Sequence, residues 1–258
     1  MTDIVKDFDD HVVNLLDASG TSTVLDLGCG RGVHLQILAR RLPETARLVG
    51  IDSSEDSIEA ARAATRGDPR FVFLLHDVAE GLPFEDAAFD RVLSMNVLEA
   101  IVDKATLLRH VGRVLAPGGR LVVSHFDWDS QLYDGVDKAL VRKVVHAFAD
   151  WKQKWMADAD GWMGRRLWRT FQETGLFTGH VDAYVHTSTR FEPGDYGWQR
   201  SQDFGSMVKR GMITAEEYER FIAALEELAR RNQYFYAITI FSYVGTRADR
   251  IGDSSRAC

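Results

Sequence analysis

The sequence predicts an α/β fold built around a parallel sheet, and three observations support this prediction. The first half alternates short apolar runs with segments of helical periodicity, which is typical of strand–helix–strand units. The second half adds two β-rich apolar runs. The chain has 258 residues, of which 45% are hydrophobic and 27% charged, which suits one globular domain with inserts. We therefore treat residues 1–258 as a single domain.

The first half of the chain contains five predicted strands separated by helices. The strands are predicted at residues 23–27, 47–52, 71–77, 89–96 and 118–126. Helices are predicted at residues 33–42, at 57–65 behind Ser53 or Ser54 as the N-cap, and at 103–115. Parallel neighbouring strands need crossover connections, and we expect these connections to be right-handed.

The second half contains two strands, each preceded by a helical insert. The strands are predicted at residues 177–189 and 234–245, and the later one is expected to be buried on both faces. The core is thus expected at about 20–126 and 177–246, with helical cap inserts at about 129–175 and 194–232. Five of the six tryptophans fall between residues 128 and 168, namely Trp128, Trp151, Trp155, Trp162 and Trp168, and most of them are expected to bury the first insert against the sheet, with Trp128 as the exception. The polar tail from about Ala248 is expected to be frayed.

Charge and cysteine content restrict the function classes. A net charge of −7 disfavours nucleic acid and anionic membranes as partners. The two cysteines, Cys29 and Cys258, cannot form a metal cage or a disulfide framework. The amino terminus lacks the pattern of a signal peptide, and no apolar run is long enough to span a membrane. The expectation is a cytoplasmic protein without a metal site that acts on a small molecule.

The most informative motif is VLDLGCGRG at residues 24–32. Glycines directly after a strand and before a helix let the backbone turn sharply and approach a ligand closely. A dinucleotide fingerprint requires glycine at the sixth position from Gly28, where this chain has Val33. Asp26 precedes the glycines and could receive a ligand ammonium group directly or through a water molecule.

Three polar residues end the following strands. Asp52 follows the second strand, 20 residues after Gly32, where a carboxylate can accept hydrogen bonds from both ribose hydroxyls. Asp77 ends the third strand and could face an adenine amino group. Asn96 ends the fourth strand. These positions predict a nucleoside-binding edge of the sheet.

In this order, VLDLGCGRG, GIDSS, HDVAEGLPF, FDRVLSMNVLE and LLRHVGRVLAPGGRLVVS make residues 24–126 similar to class I S-adenosylmethionine-dependent methyltransferases. The resemblance is to the small-molecule group that includes ubiquinone and sterol methyltransferases. It implies a Rossmann-like, seven-stranded sheet with an antiparallel last strand. It also implies S-adenosylmethionine as the cofactor, with the methionine part, ribose, adenine and amino group held by Asp26, Gly28, Cys29, Gly30, Asp52, Ser53, Asp77, Val78 and the carbonyl of Asn96.

The methyl acceptor is expected beyond the end of the fifth strand. His125 and Asp127 are two residues apart and share one face of an extended chain, so they could form a proton-accepting pair. The alternative is that His125 packs under the insert and that Asp127 caps a helix. Substrate contacts are predicted for Trp128 and Asp129, with Tyr196 and Trp198 capping the pocket.

Glu99, Arg165 and Arg166 each allow a functional and a structural interpretation. Glu99 could be a helix-start acid or touch the substrate. Arg165 and Arg166 could lie over the cofactor or be solvated, and Arg200 accompanies Tyr196 and Trp198 in a segment flanked by glycine.

The predicted function is methylation of a small molecule by in-line displacement. Aromatic inserts with flanking acids suit an aromatic or amine-bearing secondary metabolite, such as an indole, a phenol or an amine. The alternatives are a cofactor-binding module without catalysis and, with less support from the glycine spacing, an NAD-dependent oxidoreductase. An Asn-Pro-Pro-Tyr motif is absent, which by the resemblance disfavours methylation of nucleic-acid bases. The sequence leaves the oligomeric state open.

Overall fold

The computed structural model describes residues 3–18, 20, 23–154 and 156–248, with side chains from residue 8 onward. Two predictions lie outside this part of the chain: the burial of Trp155 and the fraying of the carboxyl-terminal tail.

The architecture is a central sheet with helices packed on both faces. Its strands are β1 (Thr23–Leu27), β2 (Arg47–Asp52), β3 (Phe71–Leu75), β4 (Phe89–Met95), β5 (Leu115–Phe126), β6 (Leu132–Tyr133), β7 (Phe177–Ser188) and β8 (Tyr236–Arg247). The order along the sheet is β3-β2-β1-β4-β5-β8, with β7 pairing to β8 along its length. The first five strands run parallel, as predicted.

The last strand is antiparallel to both of its long neighbours. β8 pairs with β5 from Arg120↔Thr246 to Phe126↔Ile240, and with β7 from Phe177↔Arg247 to Ser188↔Tyr236. The predicted seven strands and the antiparallel last strand are thus confirmed. The eighth strand, β6, adds two residues that pair with β8 beyond the end of β5.

Nine α-helices accompany the sheet within the described residues. They are α1 (Asp3–Leu16), α2 (Val33–Ala39), α3 (Glu55–Ala64), α4 (Lys104–Val114), α5 (Lys138–Ala149), α6 (Met163–Gln172), α7 (Tyr196–Asp203), α8 (Gly205–Val208) and α9 (Ala215–Arg230). Ser54 is the N-cap of α3, and its side chain accepts a hydrogen bond from Ser57 N. Within the described residues, no helix has both the length and the apolar character needed to cross a membrane.

The two faces of the sheet bury separate apolar clusters because neighbouring strand residues point to opposite faces. Val24 and Leu48 belong to the cluster that includes residues of α1, α2, α5 and α9. Leu25 and Val49 belong to the cluster formed with α4 and α6. Both faces of the parallel strands are therefore covered. Polar side chains that could bind a ligand are expected at the edge where the strands end.

Candidate active site

A cleft of ≈ 510 Å³ lies where β2, β3 and β4 end, and we call it the cofactor cleft. It is lined by six of the nine predicted cofactor residues, namely Gly28, Asp52, Ser53, Asp77, Val78 and Asn96. His76, Met95, Val97, Ala100 and Ile101 also line it. The structure thus brings together predicted residues from Gly28 to Asn96, which follow four different strands in sequence.

Residues 28–32, which we call the glycine loop, contribute Gly28 to one wall of the cofactor cleft. Gly28 has φ 66°, in the left-handed region. A Cβ atom there would lie 2.3 Å from Val97 Cγ2. Gly30 N donates a hydrogen bond of 2.8 Å to Asp52 Oδ2, so the loop is fastened to the end of β2.

The Asp52 carboxylate is oriented by backbone groups on two sides. Oδ2 accepts from Gly30 N, and Oδ1 accepts from Ser54 N at 2.9 Å. An ionised carboxylate offers about four acceptor positions, so both oxygens retain a lone pair for further donors. The side chain also lines the cofactor cleft. This geometry suits the two neighbouring hydroxyls of a ribose.

Asp77 and Asn96 are held by local hydrogen bonds at two other walls of the cleft. Asp77 Oδ1 accepts from Ala79 N at 2.9 Å and caps a short 3₁₀ helix that begins at Val78. Asn96 has φ 55°, a conformation that asparagine tolerates better than most residues. Its side-chain oxygen accepts from Phe126 N at 3.1 Å, which fixes the turn after β4 against the end of β5.

Asp26, Cys29 and Gly30 do not line the cofactor cleft, and the side chains of Asp26 and Cys29 are buried. Asp26 is buried, and burial raises its pKa. His34 lies between Asp26 Oδ2, 3.7 Å from its Nδ1, and Asp9 Oδ1, 3.1 Å from its Nε2. Burial alone would lower the pKa of His34, but the two carboxylates raise it to about 10. We call this group the Asp9–His34–Asp26 cluster, and it carries an imidazolium at neutral pH.

The predicted pair of His125 and Asp127 is not formed. His125 Nε2 instead accepts a hydrogen bond from Leu98 N at 3.1 Å, and burial lowers the pKa of His125 to about 3. Both carboxylate oxygens of Asp127 accept hydrogen bonds from Arg165. His125 is thus a neutral, buried acceptor of a backbone N–H, and Asp127 is held in an ion pair. The proton-accepting pair was wrong in its geometry, because β5 ends at Phe126 and the alternation of side chains ends with it.

Replacing Arg165 with alanine is expected to destabilise the fold by about 2 kcal/mol, because it leaves the buried Asp127 carboxylate without its ion-pair partner. Arg165 is 40% exposed, which weakens the pair relative to a fully buried one. Urea unfolding measures the change. Arg169→Ala on the same helix removes only an exposed ion pair with Glu173 and should cost less than about 0.5 kcal/mol. Equal losses in the two variants would contradict a structural role for Asp127.

Trp128 and Glu99 line a second cavity, of ≈ 60 Å³, which we call the insert cavity. Phe148, Trp151, Asp160 and Arg200 also line it. Trp128 Nε1 donates a hydrogen bond of 2.7 Å to Glu99 Oε2. Burial raises the pKa of Glu99 to about 7, with the Trp128 hydrogen bond opposing the shift and Asp160 adding to it. Glu99 lies in the first turn of a short 3₁₀ helix (Leu98–Ala100), as the interpretation as a helix-start acid requires, and it is buried there.

The remaining predicted acceptor residues are dispersed. Asp129 accepts a hydrogen bond from Trp162 Nε1 and lines a different surface cavity, against α5. Tyr196 stacks on Phe126 at a centroid distance of 5.5 Å, next to Trp128. Trp198 is partly buried near the start of α7 and lines neither the cofactor cleft nor the insert cavity.

The arginines and tryptophans of the first insert also depart from some expectations. Arg166 pairs with Asp160 at 2.7 Å instead of lying over the cleft. Trp162 and Trp168 are 43% and 48% exposed, so these two are not among the tryptophans that bury the insert. Trp151 is partly buried and packs against Phe148, as predicted. Among the residues from Asp3 to Ala248 that are described, no group of His, Cys, Asp or Glu is arranged to hold a metal ion.

The comparison with known families agrees with this site. Residues 18–178 match a family described as a methyltransferase domain. Since the match covers more than half of the chain, the chain belongs to this methyltransferase family. Membership confirms the predicted enzyme class and the predicted cofactor, S-adenosylmethionine.

Individual relatives cover the chain to different extents. An uncharacterised 37.1 kDa protein in transposon TN4556 of Streptomyces fradiae is 31% identical over 94% of this chain and 68% of its own. The ubiquinone biosynthesis O-methyltransferase of Methylocella silvestris is 28% identical over 70% of this chain and 66% of its own. Matches to six further curated methyltransferases cover between 36% and 50% of those proteins.

Solved structures share the fold. The crystal structure of the YcgJ protein of Bacillus superposes with a TM-score of 0.60 at 18% identity, over 93% of this chain and 98% of the other. This similarity confirms the predicted Rossmann-like sheet with helical inserts.

Proposed function

We propose that this protein transfers the methyl group of S-adenosylmethionine to an aromatic or amine-bearing small molecule, with secondary metabolism as the setting. The observation that carries the proposal is the adjacency of two cavities. Ala100 and Ile101 line the cofactor cleft, while Glu99, the residue before them, lines the insert cavity. A donor in the first cavity and an acceptor reaching into the second can therefore meet at residues 99–101.

The cofactor residues form a consistent binding surface. Asp52 would bind the ribose hydroxyls, Asp77 and Val78 the adenine, and the backbone near Gly28 and Asn96 the methionine part. When bound, S-adenosylmethionine supplies an activated methyl group on a sulfonium. The chain's own residues then need to align the acceptor and exclude water.

The rings around the insert cavity support an aromatic acceptor. Trp128 stacks on Phe126 at 4.8 Å and meets Phe148 edge-on at 5.4 Å, which leaves a rigid aromatic wall beside Glu99. Aromatic walls favour flat or cationic ligands. The name of the Methylocella silvestris relative, an O-methyltransferase of ubiquinone biosynthesis, is compatible with such an acceptor.

Untargeted labelling tests this proposal. The purified protein is incubated with S-adenosylmethionine that carries an isotopically labelled methyl group and with small-molecule extracts of the producing cell. We expect one labelled product of low molecular mass, which disappears when S-adenosylhomocysteine is added in excess. Binding of S-adenosylmethionine without a labelled product from any extract would favour the alternative of a non-catalytic cofactor-binding module.

A further inference from the structure

We infer that the Glu99 carboxylate accepts a proton from a hydroxyl group of the methyl acceptor, and that Arg200 and Trp151 bind a second oxygen of the same acceptor. This inference rests on the proposed function and narrows its substrate class to molecules with a hydroxyl group beside another oxygen. Catechols and enols next to a carbonyl group have this arrangement.

The position of Glu99 allows contact with a molecule that extends from the cofactor cleft. Two backbone hydrogen bonds hold the segment after Glu99 against the first insert: Asp158 N donates to Ala100 O at 3.1 Å, and Asp160 N donates to Glu99 O at 3.2 Å. Because Ala100 lines one cavity and Glu99 the other, this pinned segment forms the boundary between them. The location of Glu99 is therefore fixed by main-chain contacts.

The Glu99 carboxylate is only partly satisfied. It is 4% exposed, and its Oε2 accepts from the Trp128 indole. Within the described residues, none donates a hydrogen bond to Oε1. An ionised carboxylate oxygen accepts hydrogen bonds, so Oε1 is suited to a donor that arrives with a ligand.

Two donors that line the same cavity also lack partners. Arg200 Nε and Trp151 Nε1 are buried atoms, and no described residue accepts a hydrogen bond from either. Arg200 is held in place by Asp203, 2.7 Å from its Nη2, and by the Tyr196 ring, 5.0 Å from its Cζ. The guanidinium is therefore oriented before any ligand binds, which reduces the entropic cost of binding.

Glu99 Oε1, Arg200 Nε and Trp151 Nε1 together determine which ligand groups can bind in the insert cavity. Two N–H groups require an acceptor oxygen, and a carboxylate oxygen requires a donor, so a hydroxyl group beside a second oxygen satisfies all three. The insert cavity of ≈ 60 Å³ can hold these two oxygens, since one water needs roughly 10–15 Å³. It is too small for a whole aromatic molecule, so only the oxygen-bearing edge of the ring enters it.

The electrostatic surroundings suit Glu99 to proton transfer. A carboxyl group with a pKa near 7 is a stronger base than ordinary glutamate and is still ionised in part at neutral pH. The charged and titratable groups facing it are Asp160, which is paired with Arg166, and Arg200 and Tyr196 of α7. The nearby His125 is neutral because its pKa is about 3, so it does not compete for the proton.

The proposed methyl transfer requires only S-adenosylmethionine, the acceptor hydroxyl group and Glu99. A bond forms between the acceptor oxygen and the methyl carbon, and the carbon–sulfur bond breaks with its electron pair remaining on sulfur. The hydroxyl proton moves to Glu99, which becomes neutral, and it is later released to water. No oxidant or reductant is required.

Catechol binding to the protein saturated with S-adenosylhomocysteine tests the inference. We expect the affinity for catechol to rise between pH 6 and pH 8, because only ionised Glu99 accepts its proton and catechol itself stays neutral below about pH 9. Glu99→Gln should bind catechol roughly tenfold to a hundredfold more weakly at pH 8 and lose the pH dependence. Glu173→Gln, which changes an exposed glutamate of an i,i+4 ion pair, should match the wild type.

Further variants separate the other two contacts from the proton acceptor. Arg200→Lys and Trp151→Phe should each weaken catechol binding while keeping the pH dependence. Trp128→Phe removes the hydrogen bond that opposes the raised pKa of Glu99, so the midpoint should move to higher pH. If Glu99→Gln does not fold, Trp128→Phe still tests whether Glu99 causes the pH dependence. With S-adenosylmethionine, the wild type should form 2-methoxyphenol, and Glu99→Gln should turn over about 10²-fold more slowly.

The contrary outcomes are distinct. Failure of S-adenosylhomocysteine to bind would overturn the proposed function itself. Cofactor binding without catechol binding would mean that the insert cavity holds only water, and catechol binding without 2-methoxyphenol would remove the catalytic role of Glu99. An unchanged pH dependence in Glu99→Gln, or an unshifted midpoint in Trp128→Phe, would also overturn the inference.

Discussion

Replacing His34 with alanine is expected to destabilise the protein by about 3–5 kcal/mol, because two buried carboxylates lose the cation that lies between them. Asp9 and Asp26 are 4% and 1% exposed, and His34 is within 3.1 Å and 3.7 Å of their oxygens. The cluster joins α1 to the start of α2 directly after the glycine loop. Loss of the imidazolium therefore removes a contact between α1, the end of β1 and the start of α2, next to the glycine loop.

The pH dependence of this contribution follows from the raised pKa of His34. A histidine whose pKa is about 10 in the folded state and about 6.5 when unfolded stabilises the fold fully below pH 6.5. The contribution is lost as the pH rises from 6.5 towards 10. Urea unfolding of the wild type and the variant should therefore give free energies of unfolding that converge over this range.

A matched control lies on α1, the helix that carries Asp9. His11 pairs with Asp182, and both side chains are about a third exposed, at 28% and 33%. His11→Ala should cost less than about 1 kcal/mol. In a His34→Ala background, Asp9→Asn should recover part of the lost stability because it removes one of the unpaired carboxylates. Equal effects of His34→Ala and His11→Ala would refute the buried imidazolium.

Replacing Asp52 with alanine should weaken cofactor binding by roughly tenfold to a hundredfold, since charge-assisted hydrogen bonds contribute about 1.5–3 kcal/mol each. The substitution also removes the acceptor for Gly30 N and Ser54 N, which orients the glycine loop. Isothermal titration with S-adenosylhomocysteine measures the effect.

Asp56→Ala provides the control for Asp52. Asp56 is exposed in the first turn of α3, a few residues beyond Asp52, and does not line the cofactor cleft. Its removal should change helix stability by a few tenths of a kcal/mol and leave cofactor affinity unchanged. A normal dissociation constant for Asp52→Ala would show that Asp52 does not bind the ribose.

Much of the fold could be predicted because its strands are short apolar runs bounded by turns. β1 and β2 begin and end at the predicted residues. The predicted helices do not include α1, which precedes the first strand. β6 could not be predicted, since two residues carry no alternation and its pairing with β8 depends on residues more than a hundred positions away.

The cofactor cleft could be predicted better than the acceptor side because its residues follow strands in local motifs. The partners of the acceptor-side residues come from distant segments: Leu98 for His125 and Arg165 for Asp127. Sequence spacing places His125 and Asp127 together, but the end of β5 separates them. The burial of Glu99 could not be predicted for the same reason, since it depends on the insert that packs over it.

Calorimetric titration with two competing cofactor classes tests the central claim most directly. S-adenosylhomocysteine and NAD are titrated in turn into the same preparation under identical conditions. We expect one saturable site for S-adenosylhomocysteine and far weaker binding of NAD. The reasons are that Val33 stands where a dinucleotide motif has glycine, and that Gly30 N and Ser54 N orient the Asp52 carboxylate. Preference for NAD, or no binding of S-adenosylhomocysteine, would contradict the assignment of this cleft to a methyltransferase.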